Sequence, residues 1–412
     1  MFWTYLGTAL ILLVLAQLAL SLLAGLQRER ADARRQSLEI AHLSEELAAL
    51  RETRRKLAER PFPWNGIRKF VVQRKVAESA DVRSFYLVPH DARPLPSFKP
   101  GQHLTFQLPH PAGGSPLVRC YSLSDRPHTG HYRVTIKRAP APAGLGSGLF
   151  HDHVGEGDIV DVRAPSGNFF LEPTDPEPVV LIAGGIGVTP LLSMLHTLVH
   201  QKSRRAIWFF YSVRDGAHHL FKAEFATLRR DNPDIQLRVC YTQPGPADKE
   251  GEDYDLKGRL TVERLKSVLP SNNFRFYYCG PGPMLEALTG DLRRWGVPET
   301  HLHFETFGAS SVKRVSRVTA GPEAARGARC LVSFRKSGLT LPWSATSGSL
   351  LELAEGAGIA IASGCRAGNC GTCVVAMQSG EVSYVQPPGL VLEARTCLTC
   401  IAQPNGDVLL DA

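Results

Sequence analysis

Residues 2–26 carry no charged side chain and are dominated by Leu, Ala, Ile and Val. The run exceeds the ~20 residues that a helix needs to cross a hydrocarbon core, so it predicts a transmembrane helix. A cleaved signal peptide is the rival reading, but the run lacks a positive N-terminal region and its apolar stretch is too long. Arg28, Arg30, Arg34 and Arg35 follow at once. The positive-inside rule then expects a single-pass anchor in the inner (plasma) membrane, with everything after residue 26 in the cytoplasm. Over residues 27–60 the chain is polar and helix-favouring, with Ile40, Leu43, Leu47, Leu50 and Leu57 at spacings of 3, 4, 3 and 7. That period predicts a helical stalk, which is either a seam for a homodimer or a solvated helix. Pro61 and Pro63 end it.

Beyond residue 62 the pattern shortens to alternation. Candidate strands at 70–76, 82–88, 103–108, 132–137 and 159–163 are separated by Gly/Pro turns, which predicts a small antiparallel β-barrel over 62–175. Over 176–308, uniformly apolar strands (179–183, 206–211, 237–241, 274–279) alternate with helical segments, the pattern of a parallel α/β sheet covered on both faces. Residues 309–327 are small, polar and basic and read as a linker. Residues 328–412 form a compact module with strands, a short helix near 349–355 and a cysteine-rich loop. The chain is therefore multidomain, without an internal repeat.

Composition narrows the function. Hydrophobic residues at 43% and charged residues at 21% exclude wholesale disorder. The net charge of +8 is local: residues 61–140 hold twelve Lys/Arg against four acids. A basic face on one module suits phosphate-bearing cofactors or an acidic partner, and no nucleic-acid module is legible elsewhere. Five of the nine cysteines fall in the last fifty residues. Their spacing reads as metal binding in a reducing compartment rather than as a disulfide framework.

Cys365, Cys370 and Cys373 form C-x4-C-x2-C, with Cys400 further on, which is the plant-type [2Fe–2S] spacing. Gly364, Gly368 and Gly371 permit the tight turns that aim amide N–H groups at sulfur. Zinc is the rival, because Cys370, Cys373, Cys397 and Cys400 also make two C-x2-C pairs. Zinc would leave Cys365 over and the loop glycines without a purpose. The segment resembles the β-grasp plant-type ferredoxin domain, whose fourth ligand stands in a Leu-Thr-Cys segment like Leu398-Thr399-Cys400. The resemblance implies Cys400 as the fourth ligand and leaves Cys397 as a buried thiol.

In Gly184-Gly185-Ile186-Gly187-Val188-Thr189-Pro190 a buried strand runs into a glycine turn and a helix start, with Thr189 suited to cap and Pro190 to the first helical position. Such a turn brings a pyrophosphate to free amides at a helix N-terminus. A second apolar strand runs into Cys279-Gly280-Pro281-Gly282-Pro283-Met284, and two such strand ends form the crevice in which α/β sheets bind ligands. Together they resemble the ferredoxin–NADP reductase superfamily. The resemblance implies Cys279 beside the nicotinamide C4, the glycine turn on the pyrophosphate, and Gly280, Pro281 and Met284 along the crevice. It also places Arg214 at the strand end that selects the adenosine ribose. NADH is the expected donor and NADPH the alternative.

Arg119-Cys120-Tyr121-Ser122-Leu123-Ser124 matches that superfamily's R-x-Y-S motif. Arg119 can pair with a flavin phosphate, Tyr121 offers a flat ring to the isoalloxazine, and Ser122 a hydroxyl near N5. Ser124 and Lys137 join this cofactor-binding set, and Gly144 to Ser147 match the G-x-x-S phosphate turn. Residues 144–170 look most like the reductase half of flavohaemoglobins, which implies FAD; the phthalate dioxygenase reductase group shares the domain order but holds FMN. The resemblance also sets Glu305 and Phe307 at the flavin's nicotinamide side, so the expected catalytic residues are Ser122, Cys279 and Glu305. It covers residues 62–412 and implies a membrane-anchored oxidoreductase that passes electrons from NADH through FAD and [2Fe–2S], singly, to an acceptor protein such as an oxygenase or desaturase. Direct reduction of a quinone, free flavin or ferric chelate, and a membrane-bound redox sensor, are the alternatives.

Overall fold

The computed structural model describes residues 64, 66–111, 113, 116–128, 130–140, 144–307, 330–385, 388–389 and 392–412. The transmembrane helix, stalk and linker expected from the sequence lie outside these residues. Among the described residues no helix is long and apolar enough to cross a membrane.

Strands β1 (Ile67–Ala77), β2 (Val82–Pro89), β3 (His103–Leu108), β4 (Leu117–Ser122), β5 (Tyr132–Lys137) and β6 (Ile159–Ser166) form the barrel. Their order is β4-β3-β6-β1-β2-β5, and an antiparallel bridge between Leu123 and Val134 joins the two ends. Alternation sends Phe70, Phe85, Leu104, Phe106 and Val134 into one core. Helix α1 (Leu145–His153) plugs that core with Phe150, whose ring meets Phe85 and Phe106 edge-on at 5.2 and 5.1 Å. Lys75 finishes the helix, its ammonium donating to the carbonyls of His151 at 2.8 Å and Val154 at 2.7 Å, where the helix dipole favours a cation. Strand β4 is not among the strands that the alternation predicts. Its Leu-Val-Arg-Cys-Tyr-Ser order has no clean alternation, and its pairing with β3 decides the matter.

The α/β sheet contains β7 (Val179–Gly184), β8 (Ile207–Val213), β9 (Gln236–Tyr241), β10 (Leu256–Lys257), β11 (Arg275–Cys279) and β12 (Leu302–Glu305), all parallel in the order β10-β9-β8-β7-β11-β12. Helix α2 (Val188–His200) covers one face with Leu191, Leu195 and Leu198 against Leu181 and Phe209, and α3 (Lys222–Asp231) adds Phe225. On the other face α4 (Val262–Lys266) and α5 (Gly282–Arg294) set Leu265, Leu285, Leu288 and Leu292 against Val180, Ile182 and Phe276. The chain winds outward from β7 through β10 and then returns to β7's other side with β11. The crevice at that reversal is where such sheets bind ligands.

Barrel and α/β sheet are joined by a polar seam. Ser193 on α2 donates to the Asp125 carbonyl at 2.7 Å, and His196 lies 3.1 Å from the Asp125 carboxylate and 2.9 Å from Glu224. Burial opposes ionisation of Asp125, but the His131 and His196 hydrogen bonds outweigh it and hold that carboxyl well below the usual range.

The C-terminal module has β13 (Cys330–Phe334), β14 (Leu339–Trp343), β15 (Val374–Ser379), β16 (Val382–Tyr384), β17 (Thr396–Leu398), β18 (Ala402–Pro404) and β19 (Val408–Leu410). Five of them form the sheet β14-β13-β19-β15-β17, and β16 pairs with β18. Helix α6 (Leu350–Gly356) packs Leu350 and Ala354 against Val332, Phe334 and Leu410. It opens with a reciprocal cap: the Glu352 amide donates to Ser349 Oγ at 3.3 Å, and the Ser349 amide to Glu352 at 3.0 Å.

Candidate active site and cluster loop

The crevice is made by backbone touching backbone. After Gly184 the chain makes one tight turn, Gly185–Gly187, and enters α2 with Gly187 as N-cap and no side-chain cap. A Cβ on Gly187 would lie 2.3 Å from the Cys279 carbonyl oxygen and 2.7 Å from the Gly280 nitrogen. One on Gly184 would lie 2.6 Å from Met284 Sδ and 2.8 Å from Pro281 Cδ. Only glycine allows the two strand ends to meet, while the space above Gly185 is open. Uncapped amides and an open glycine fit a pyrophosphate. The helix begins two residues earlier than the sequence suggests, at Val188 rather than Pro190, so Thr189 is not a cap. Its hydroxyl donates to the Ile186 carbonyl at 3.1 Å, and Pro190 sits inside the first turn, where its missing N–H is harmless. Pro281 is the N-cap of α5. Arg214, just after β8, is exposed, with Nε 3.6 Å from the Asp215 carboxylate.

Three expected catalytic residues converge at the mouth of this crevice. Cys279 and Glu305 are register partners on β11 and β12, and Ser122 Oγ on the barrel donates to Glu305 Oε2 at 3.3 Å. Burial pushes the Glu305 carboxyl up to about 8, against the Ser122 hydrogen bond. Burial first, and then the Glu305 charge, push the Cys279 thiol well above its ordinary value. Both groups hold their protons at neutral pH. His103, opposite Ser122 on β3, lies with Nδ1 4.0 Å from Glu305 Oε1 and Nε2 3.2 Å from Ser166 Oγ. Burial lowers His103 to about 4, so it is neutral and its approach to Glu305 is not an ion pair. Phe307 follows two residues beyond Glu305 and is 37% exposed.

Arg119 runs over the start of α1, where a Cβ on Gly146 would fall 2.6 Å from Arg119 Cγ. Its guanidinium donates to the Val118 carbonyl at 2.8 Å, and no carboxylate among the described residues pairs with it. A cation without a counter-ion at a glycine turn suits a phosphate. Gly144 and Ser147 build that turn: the Ser147 hydroxyl donates to Gly144 at 2.9 Å and accepts from the Ala139 amide at 3.0 Å. It is therefore used inside the turn. Tyr121 is half-buried, its ring 5.7 Å from Phe106 and 5.3 Å from Phe150. Two further expected flavin contacts have protein partners of their own. Ser124 is fully buried with its hydroxyl 2.8 Å from that of Thr135, which makes it a barrel-core residue. Lys137 is exposed and ion-paired to Asp81 at 3.3 Å.

In the cysteine loop the amides of Asn369 and Cys370 each donate to Cys365 Sγ at 3.3 Å, that of Ala367 to the same sulfur at 3.4 Å, and that of Cys365 to Cys370 Sγ at 3.3 Å. Positive φ at Arg366, Gly368 and Gly371 turns these amides inward. The strain at Arg366 is held by its two-pronged pair with Glu355. Cys373 and Cys400 share one buried cluster, with Cys365 packed against it. Cys397 instead packs in the module core with Val332 and Leu350. Four converging thiols ringed by donors fit a [2Fe–2S] cluster.

Residues 69–171 match the oxidoreductase FAD-binding domain, 181–289 the oxidoreductase NAD-binding domain and 334–405 the 2Fe-2S iron-sulfur cluster binding domain. The chain resembles phthalate dioxygenase reductase, described as a modular structure for electron transfer from pyridine nucleotides to [2Fe–2S], at 26% identity and a TM-score of 0.52 over 84% of this chain and 98% of that one. It is 33% identical to the flavohaem-like FAD/NAD binding domain of nitric oxide dioxygenase from Vibrio cholerae, with a TM-score of 0.53, covering 59% of this chain and all of that one. The chain belongs to the ferredoxin–NADP reductase superfamily. It is an NAD(P)H-dependent oxidoreductase with a C-terminal ferredoxin-type domain, and its cofactors are FAD, a [2Fe–2S] cluster and NADH. A flavohemoprotein of Halalkalibacterium halodurans is 37% identical over 252 residues, 60% of this chain. The reductase spans only 61% of that relative's length.

Sequence reading missed three residues of the reductase. His103, Thr105 and Cys120 lie where the barrel meets the cysteine loop. Thr105 and Cys120 are register partners, and a Cβ on Gly364 would come 2.8 Å from Val118 Cβ and 3.0 Å from Cys370 Sγ. No local spacing marks them, because only the β3–β4 pairing and the docking of a distant loop bring them together.

Proposed function

We propose that this reductase takes two electrons from NADH and delivers them one at a time to an acceptor protein, an oxygenase or desaturase being the class that the resemblance to phthalate dioxygenase reductase favours. The observation that carries the reading is His103. Its ring lies 4.0 Å from Glu305 at the nicotinamide crevice, and Glu305 and Asn369 of the cluster loop line one cleft. A hydride site and a cluster site thus share one buried wall. When bound, FAD accepts a hydride from NADH and the cluster passes single electrons onward.

The chain's own residues prepare that exchange. The glycine turn and α2 amides hold the dinucleotide, and Arg214 meets its ribose end. Cys279 and Glu305 close the nicotinamide pocket as neutral groups, so no buried charge opposes entry of the ring. Ser122 orients the Glu305 carboxyl through its hydroxyl. Arg119 would anchor the flavin phosphate beside the α1 turn, and Tyr121 would offer its ring to the isoalloxazine. Cys365, Cys370, Cys373 and Cys400 hold the cluster. Residues 2–26 anchor the protein in the inner membrane, with the cofactor domains on the cytoplasmic side.

Steady-state assays on full-length Cys400→Ser test the route. The variant is expected to keep NADH-driven flavin reduction and lose delivery to a one-electron protein acceptor such as cytochrome c. Full delivery without the cluster overturns the reading in favour of direct reduction by the flavin. Carbonate extraction of membranes from cells making the full chain tests the anchor: retention in the pellet is expected, and release contradicts it.

A further inference from the structure

We infer that Cys120 is a cluster-tuning contact: from the flavin barrel its thiol donates a hydrogen bond to a sulfur of the [2Fe–2S] site and raises the reduction potential of the cluster. The inference rests on the iron–sulfur reading of the loop and adds to it a residue outside the ligand set.

Strand β4 carries the argument. Side chains alternate along a strand, so Val118, Cys120 and Ser122 share one face, while Arg119 and Tyr121 turn to the other. The shared face touches the cluster loop at one end, where Val118 lies against Gly364. At its other end Ser122 meets Glu305. Cys120 stands between them, about 6.6–6.8 Å along the strand from Ser122. Its thiol lies on the face where Val118 packs against Gly364 beside Cys370 Sγ, and 3.3 Å from the Thr105 hydroxyl.

The direction of these bonds follows from what each group can do. With Cys365 and Cys370 bound to iron as thiolates, their sulfurs can only accept. The Thr105 hydroxyl can donate to Cys120 Sγ, which leaves the Cys120 S–H free for a cluster sulfur and polarises it. Hydrogen bonds to sulfur stabilise the more negative, reduced cluster, which is the recognised lever by which a protein raises its potential. Zinc or iron ligation needs no such donor. The loop's own amides already serve Cys365 and Cys370, and Cys120 is a donor supplied by the electron-donating domain. The cluster's potential would therefore depend on its docking against the barrel.

EPR-monitored redox titration of full-length, cluster-loaded protein tests this in the wild type, Cys120→Ala and Cys120→Ser. The expected result is a lower midpoint potential in Cys120→Ala with the iron content unchanged, and recovery toward wild type in Cys120→Ser, which restores a donor. A Cys120→Ala cluster with the wild-type potential, or equal shifts in both variants, overturns the inference and leaves the cluster reading intact. A wild-type chain that assembles no [2Fe–2S] cluster overturns the cluster reading itself. If neither variant loads a cluster, iodoacetamide labelling of the wild type decides. Cys120 should be protected in the loaded chain and labelled once iron is chelated; rapid labelling of the loaded chain contradicts the contact.

Discussion

The nicotinamide crevice and the cluster loop do the same job, holding a cofactor near Ser122 and Glu305, by opposite means. In the crevice, regular strand ends meet so tightly that Gly184 and Gly187 admit no side chain. Its shape is fixed before any ligand arrives. The cluster loop has no regular structure between α6 and β15, and its amides converge on sulfurs that would repel one another as thiolates without a metal. Its shape depends on the group it holds. Damage to the crevice should therefore be steric and irreversible, and damage to the loop should track loading.

The sharpest way to break this contrast is Gly187→Val. Its side chain must displace the Cys279 carbonyl, so NADH-driven flavin reduction should fall about 100-fold or more, measured by anaerobic stopped flow, while iron content stays at the wild-type level. If the loss came with iron loss, the two sites would not be independent. Next comes the pair Cys400→Ser and Cys397→Ser. The first should lose the cluster. The second should keep it and cost about 1–3 kcal/mol for a poorly matched hydroxyl in the core, read by thermal unfolding alongside iron analysis.

Glu305→Gln has a smaller effect with a defined sign. The ordinary carboxyl value is 4.5 and the folded one about 8, so between these the unfolded chain sheds a proton that the folded chain keeps. This group's contribution to stability is full below 4.5, is lost at about 1.4 kcal/mol per pH unit as pH rises, and levels off above 8. The Gln variant should lack that slope when melting is compared across the window. Hydride transfer in the wild type should also slow as pH rises through about 8. Smallest is Ser124→Ala, expected to cost about 1 kcal/mol through its bond to Thr135 with no change in flavin content.

Much of the site was legible in the chain because it is written locally. The glycine turn at 184–187, the Cys365–Cys373 spacing and the Arg119–Ser122 segment each place their groups within a few residues of one another. What sequence could not supply was facing. Ser124 follows the same motif as Ser122, yet the bridge between Leu123 and Val134 draws it into the barrel. α2 starts early because the Gly185–Gly187 turn already winds the chain helically into Val188. Cys120 has no other cysteine near it in the chain, and only the pairing of β4 with β3 and the docking of the loop on that face bring it beside the cluster cysteines. The choice of Cys400 over Cys397 rests on resemblance; in the fold Cys400 lies with Cys373 and Ile401, and Cys397 in the neighbouring core.

The most direct test of the account is anaerobic addition of NADH to the full-length protein, followed by visible absorption and EPR with the released flavin and metal identified. The account predicts FAD and two irons per cluster-loaded chain, bleaching of the flavin bands, and appearance of a reduced [2Fe–2S] signal. A flavin that bleaches beside bound zinc, or beside a cluster that stays oxidised, would contradict it.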